Sequence, residues 1–234
     1  MSRKEDPLED CRGPMDEPIW PERLAARVIS PGRPPRIRGY DVEGDLARHY
    51  SFAEVVLAAL CGEAPDRAAG RAFEIALVWL SPLSAAHAPV HAAGLARLCG
   101  ADTTGIAGVA AIGLAELARE VAAQHAELLS WLDEARGAPP DGFAPADGED
   151  RRRSALFRGQ IGEAGLELPD GDLGPTALAL CVLHRCGLRS RELIEAALVV
   201  SRLPCAAAEA LEVPPLRFDQ YPINLPRFRY VEDE

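Results

Sequence analysis

One segment constrains the fold more than any other: DTTGIAGVAAIGLAELAREVAAQHAELLSWLDEARG, residues 102–137. It opens on an Asp/Thr helix cap and is far longer than a strand. Its first half is almost wholly Ala, Gly, Ile, Val and Leu. Small apolar residues on every face predict a helix buried on all sides, and such a helix needs other helices around it. Its second half reads as amphipathic.

The flanking sequence supplies those helices. SFAEVVLAALCG (51–62) opens on a capping box, Ser51 with Glu54, and stops at Gly62. PDRAAGRAFEIALVWLS (65–81), AAHAPVHAAGLARLCG (ending at Gly100), PTALALCVLHRCG (175–187) and SRELIEAALVVSRLPCAAAEALE (190–212) follow. Pro204 is expected to kink or end the last of them. Hydrophobic residues make up 48% of the chain but aromatics only 6%, so the core is built from good helix formers. The fold class expected is all-α.

Punctuation divides the chain. Residues 1–18 are charged, proline-containing and aperiodic, which predicts a disordered acidic arm. Residues 19–50 are an extended, hairpin-forming segment, residues 51–213 the helical domain, and residues 214–234 an extended, proline-rich tail. Residues 137–150 read as a Gly/Pro/Asp loop, and EDRRRSALFRGQIGEAGLELPDGDLGP as short and broken.

Charge and cysteine usage narrow the function. The net charge is −11, and the one dense basic run, Arg151-Arg152-Arg153, abuts acidic DGED and reads as a solvated loop. That argues against nucleic acid as a partner. The six cysteines contain no CxxC, so neither a zinc site nor a secreted disulfide framework is indicated, and a reducing cytoplasm is expected. No segment reads as membrane-spanning.

Few residues offer chemistry on their own. His87 and His91 stand at i, i+4, but Ala88 and Pro89 occupy the place where a zincin has its Glu, and no third ligand group follows. A structural role outweighs metal there, and no metal is expected. The glycines of GIAGVAAIG (105–113) follow no strand and suit close helix crossing rather than a dinucleotide. DGDLG (170–174) sets two carboxylates before a helix: Asp172 is expected to N-cap it, with Pro175 in the first turn, and could also serve as a general base.

A longer pattern carries further. RIRGYDVEGDLARHYSFAEVVLAALCGEAP (36–65) resembles the opening of the citrate synthase superfamily: Arg38-Gly39-Tyr40-Asp41, Asp45-Leu46-Ala47, Phe52, Glu54, Val55 and Gly62-Glu63-Ala64-Pro65. SAAHAPVHAAGLARLCGADTTGIAGVAAIGLAEL, then the DGDLGPTALALCVLHRCGLRSRELIEAALVVSRLPCAAAEALE stretch and INLPRFRY, follow in family order. The resemblance spans residues 36–230 and is greatest to compact citryl-CoA lyase-like members.

The resemblance implies a citrate synthase-like, all-α large domain with a reduced or missing small domain, since Asp172 follows Glu163 by only nine positions. It implies a dimer acting on a coenzyme A thioester, as substrate and not as a prosthetic group, together with a small keto or carboxylic acid. A carbon–carbon bond would form or break through the thioester enol. Asp172 falls at the position of the catalytic Asp, His87 at a keto-acid-contacting His, and Arg202 at the substrate-carboxylate Arg.

Other family positions differ. Val121 stands near the enol-stabilising His, with His125 one turn further on. Glu163 falls near the second His. Leu225-Pro226 replaces the closing Arg-Pro, with Arg227 and Arg229 close by. Losing a preorganised donor to an oxyanion costs about 100- to 1000-fold in rate. Two readings therefore stand beside each other: an acyl-CoA lyase or acyltransferase, or a degenerate relative that serves as a regulatory partner or carboxylate sensor. The partners implied are a second copy of the chain, or a full-length citrate synthase-like paralogue.

Overall fold

A computed structural model describes residues 26–134 and 138–215. The expected arm at 1–18, nearly all of the tail, and with it Arg227 and Arg229, lie outside the described residues.

The chain enters through an antiparallel three-stranded meander, β1 (Ile29–Ser30), β2 (Arg36–Ile37) and β3 (Tyr40–Asp41), with Ile29 opposite Ile37 and Arg36 opposite Asp41. Asp41 then caps a π-helical turn, Val42–Leu46, by accepting from the amides of Glu43 and Gly44. The extended segment expected over 19–50 thus ends in a wide turn and a short helix, α1 (Ala47–His49).

Among the described residues eight further helices follow: α2 (Phe52–Cys61), α3 (Arg67–Leu80), α4 (Ala88–Leu98), α5 (Thr103–Gln124), α6 (Ala126–Glu134), α7 (Gly148–Glu163), α8 (Pro175–Arg185) and α9 (Arg191–Glu212). Their starts are written locally. The Ser51–Glu54 capping box forms, and Asp66, Asp102, Asp147 and Ser190 each accept an amide of the first turn. α2 stops at Gly62 in the left-handed region (φ 95°), where a side chain would be strained.

Three local expectations are corrected. Residues 148–163 are one continuous helix rather than broken pieces. Arg152 pairs with Glu149 and Arg153 with Asp150 at i, i+3, so the basic run lies along α7 and not in a loop. Pro204 does not end α9; the helix runs on to Glu212, with the proline on an exposed face. Asp172 does not cap α8: Gly174 holds the cap position, with Pro175 in the first turn as expected.

The helix buried on all sides is α8, not α5. Every residue from Ala177 to His184 is buried, packed among α3, α6, α7 and α9. Phe73, Phe157, Leu178, Leu180 and Leu183 anchor this main core. α5 buries only one stripe, Ile106, Ala110, Leu114, Ala118 and Ala122, against α4 and α9 in a second, Ala-rich cluster. Its opposite face, with Gly108 and Ile112, is open, and Ile112 is 72% exposed. The long segment is also broken at His125, which separates α5 from α6.

Candidate functional site

The elements that bear Arg202 and Asp172 meet at the C-terminal end of α3. Leu80 closes this helix, and its carbonyl accepts from Arg202 Nε at 3.1 Å. Arg202 projects from α9 and is only 9% exposed. Its Nη1 is buried without a partner, and burial pushes its pKa down. Desolvating a guanidinium with an unmet donor is costly, which makes Arg202 the most unusual charge among the described residues.

His87 begins α4 at the N-cap position. It does not cap with its side chain; Nδ1 lies 3.3 Å from the Ser84 carbonyl, and the ring is exposed. α4 and α5 are antiparallel, and a Cβ on Gly113 would stand 3.0 Å from the Pro89 Cα, so this glycine permits the crossing. α5 and α9 are antiparallel as well: Arg191 donates to the Arg119 carbonyl at 3.0 Å, while Ala206 and Ala210 share a cluster with Ile106 and Ala110. α4 and α9 therefore run the same way. Arg97 Nε reaches the Val213 carbonyl at 3.3 Å. His87, at the start of α4, lies toward the Arg191 end of α9. His91, one turn beyond His87, sits within α4. Among the described residues, no group of three or more His, Cys, Asp or Glu could hold a metal ion.

Asp172 lies in the loop before α8 and is exposed, with Oδ2 3.4 Å from Arg151 Nη2. The loop itself is held firmly. Arg158 forks from α7 to the carbonyls of Pro169 and Gly171, at 2.9 and 2.7 Å. The Gly174 amide donates to the Phe143 carbonyl at 2.7 Å. His125 stacks on Phe143, with ring centroids 5.3 Å apart, and its Nδ1 donates to the Val121 carbonyl at 2.8 Å. The break that ends α5 thus sets an imidazole one ring away from the loop carrying Asp172.

A small cavity of about 180 Å³ joins these parts: Trp79 and Leu80 of α3, Asp150 and Arg153 of α7, and Pro175 and Thr176 of α8. Arg202 is bonded to one of its walls, and Asp172 precedes another. His87 lines a different groove, with Gly113, Glu116 and Arg191. The structure thus brings the elements bearing Asp172 and Arg202 to one end of α3, while Asp172 turns to solvent and His87 lies exposed in a separate groove.

Glu163 is set apart. It ends α7, exposed, and lines a groove with Arg71, Glu74 and Trp79, whose indole donates to Gln160 at 2.7 Å. Two contributors escape sequence reasoning. Arg158 carries no motif, because its partners are backbone carbonyls. The other is a His184–Asp133 contact at 2.8 Å, joining residues of α8 and α6 that nothing in the sequence pairs.

No protein-family model matches the chain, and no characterised protein matches it in sequence. Solved structures do. The citryl-CoA lyase of Hydrogenobacter thermophilus superposes with a TM-score of 0.58 at 17% identity, over 92% of this chain and 96% of that one. The chain has the citrate synthase-like fold.

Two ATP citrate lyases share it. The Methanosaeta concilii enzyme, in complex with (3S)-citryl-CoA, matches with a TM-score of 0.55 at 12% identity. That of Methanothrix soehngenii, with citrate and coenzyme A, matches with a TM-score of 0.55 at 13% identity. The chain spans 42% and 44% of these two longer chains, against nearly the whole length of the citryl-CoA lyase. Among the described residues, no helix of this citrate synthase-like fold is long and apolar enough to cross a membrane.

Proposed function

We propose that the chain binds a coenzyme A thioester and a small carboxylic or keto acid, and makes or breaks a carbon–carbon bond through the thioester enol. The buried, half-satisfied guanidinium of Arg202 carries this reading. An unmet buried donor is costly unless an anion completes it, and a carboxylate does so with a charge-assisted bond. His87 would hold the carbonyl of the same acid from the start of α4. Asp172 would take or return the proton on the thioester α-carbon. His125, set beside the Asp172 loop through Phe143, would meet the developing enolate oxygen in place of the family histidine replaced by Val121. This geometry requires Asp172 to leave Arg151 and turn inward when substrate arrives. Glu163 stays outside the reaction.

The exposed face of α5 supports the dimer. An open stripe of small residues around Gly108, with Ile112 bare to solvent, is what a second copy would cover. Arg227 and Arg229 are the candidates to reach a partner's site.

A second reading rests on Asp172 itself. Its carboxylate is solvated and paired with Arg151, which suits a carboxylate sensor or regulatory partner that binds through Arg202 and His87 without turnover.

Assay of purified protein for citryl-CoA cleavage, monitored as oxaloacetate release alongside acetyl-CoA, separates the two. The enzyme reading expects turnover that Asp172→Asn lowers at least 100-fold while citrate binding persists. Citrate binding with no thioester binding or turnover in the wild-type protein overturns the enzyme reading and leaves the sensor.

A further inference from the structure

A second polar cavity lies at the C-terminal end of α8, about 16 Å along that helix from its start at Pro175. It encloses about 510 Å³, and its walls include Trp131 and Asp133 of α6, Pro169, and His184, Arg185 and Arg189 at and beyond the end of α8. His184 is only 5% exposed, and its Nε2 lies 2.8 Å from Asp133 Oδ1. A carboxylate on one ring nitrogen fixes the orientation of the imidazole.

Two arginines stand beside this imidazole in the cavity wall. Arg185 and Arg189 are both exposed, and neither pairs with a carboxylate among the described residues, although Asp133 stands in the same wall. The chain has 36 acidic against 25 basic side chains, so carboxylates are plentiful. Two unpaired guanidinium groups and an oriented, buried imidazole share one concave space.

We infer that this cavity is a phosphate site, for free phosphate or for the phosphate of an organic monoester. A planar carboxylate is satisfied by one guanidinium fork. A tetrahedral dianion offers enough oxygens for two guanidinium forks at once. The cavity is also larger than one phosphate needs and falls in the range of small-molecule sites. Trp131 and Pro169 give an apolar wall for the rest of an ester. The site is independent of the reaction proposed for Asp172. It does touch the same loop, because Pro169 lines the cavity and its carbonyl is held by Arg158.

The test is titration calorimetry of the full chain with sodium phosphate, and separately with adenosine monophosphate, at constant ionic strength. Saturable binding is expected, weakened at least tenfold in the Arg185→Gln/Arg189→Gln double variant and unchanged in Asp172→Asn. Tighter binding of the nucleotide identifies an ester as the occupant; equal binding identifies free phosphate. Absence of saturable binding by either ligand overturns the inference, as does wild-type affinity in the double variant. Should the double variant fail to fold by circular dichroism, Arg189→Gln alone, which lies beyond the end of α8, is measured and must lose at least threefold.

Discussion

Arg202→Met asks whether this buried charge serves stability or a ligand. Methionine keeps much of the aliphatic stem and removes the guanidinium. The change deletes the Nε bond to the Leu80 carbonyl and leaves that oxygen without this partner, which costs about 1–3 kcal/mol. It also removes a desolvated donor, Nη1, that has no partner, and relieves a penalty of about the same size. The two effects offset, so the variant is expected to unfold within about 2 kcal/mol of the wild type, a Tm change of at most about 8 °C for a chain this long. Leu198→Ala, one turn away on α9 and fully buried, sets the contrast at about 2–5 kcal/mol. Thermal unfolding with and without citrate reads both properties. Citrate is expected to raise the Tm of the wild type in proportion to its occupancy and to leave Arg202→Met unmoved. A loss above about 4 kcal/mol in the variant refutes the reasoning, because the guanidinium would then be a structural strut. So does a citrate-induced rise that survives the substitution.

Two other tests address the loop and the core. Arg158→Gln is expected to lower the kcat of citryl-CoA carbon–carbon cleavage by about 10- to 100-fold with little change in KM, because a loosened Asp172 loop spoils alignment more than binding; Arg158→Lys should not restore it, since one ammonium cannot fork to two carbonyls, and full activity in the lysine variant refutes a positioning role. Burial pushes Cys181 and Cys186 from 9.0 up to about 12, so both stay protonated and should resist alkylation at pH 8 in the folded protein, while exposed Cys99 and Cys205 react. The unfolded chain releases those two protons from about pH 9 and the native chain does not, so stability should fall as pH rises above 9; mass spectrometry after brief alkylation and unfolding curves at pH 8 and 10 check the two statements.

Much of the fold was legible in the sequence, for a local reason. Helix starts depend on one side chain and an amide three residues away, so Ser51, Asp66, Asp102 and Ser190 announce their helices directly. The resemblance in residues 36–65 placed the chain in the citrate synthase-like fold, which the solved structures bear out. Other features misled. In α7 the charges looked like a loop, because a helix whose exposed face is held by i, i+3 ion pairs shows little apolar period. The small apolar run of α5 looked like the core. Yet small residues fit equally well a face that lies open in the single chain, and only packing distinguishes the two.

By itself, then, the sequence determined the all-α class, the order of helices and the residue types available for chemistry. Those depend on contacts a few residues apart. The tertiary structure alone decided that α8 is the helix enclosed on every side and that Arg202 is buried with an unmet donor. It alone set His125 beside the Asp172 loop through Phe143, and His184 against Asp133 in a cavity with two unpaired arginines. Each of these depends on which surfaces meet across long separations, and no local pattern of side chains encodes that.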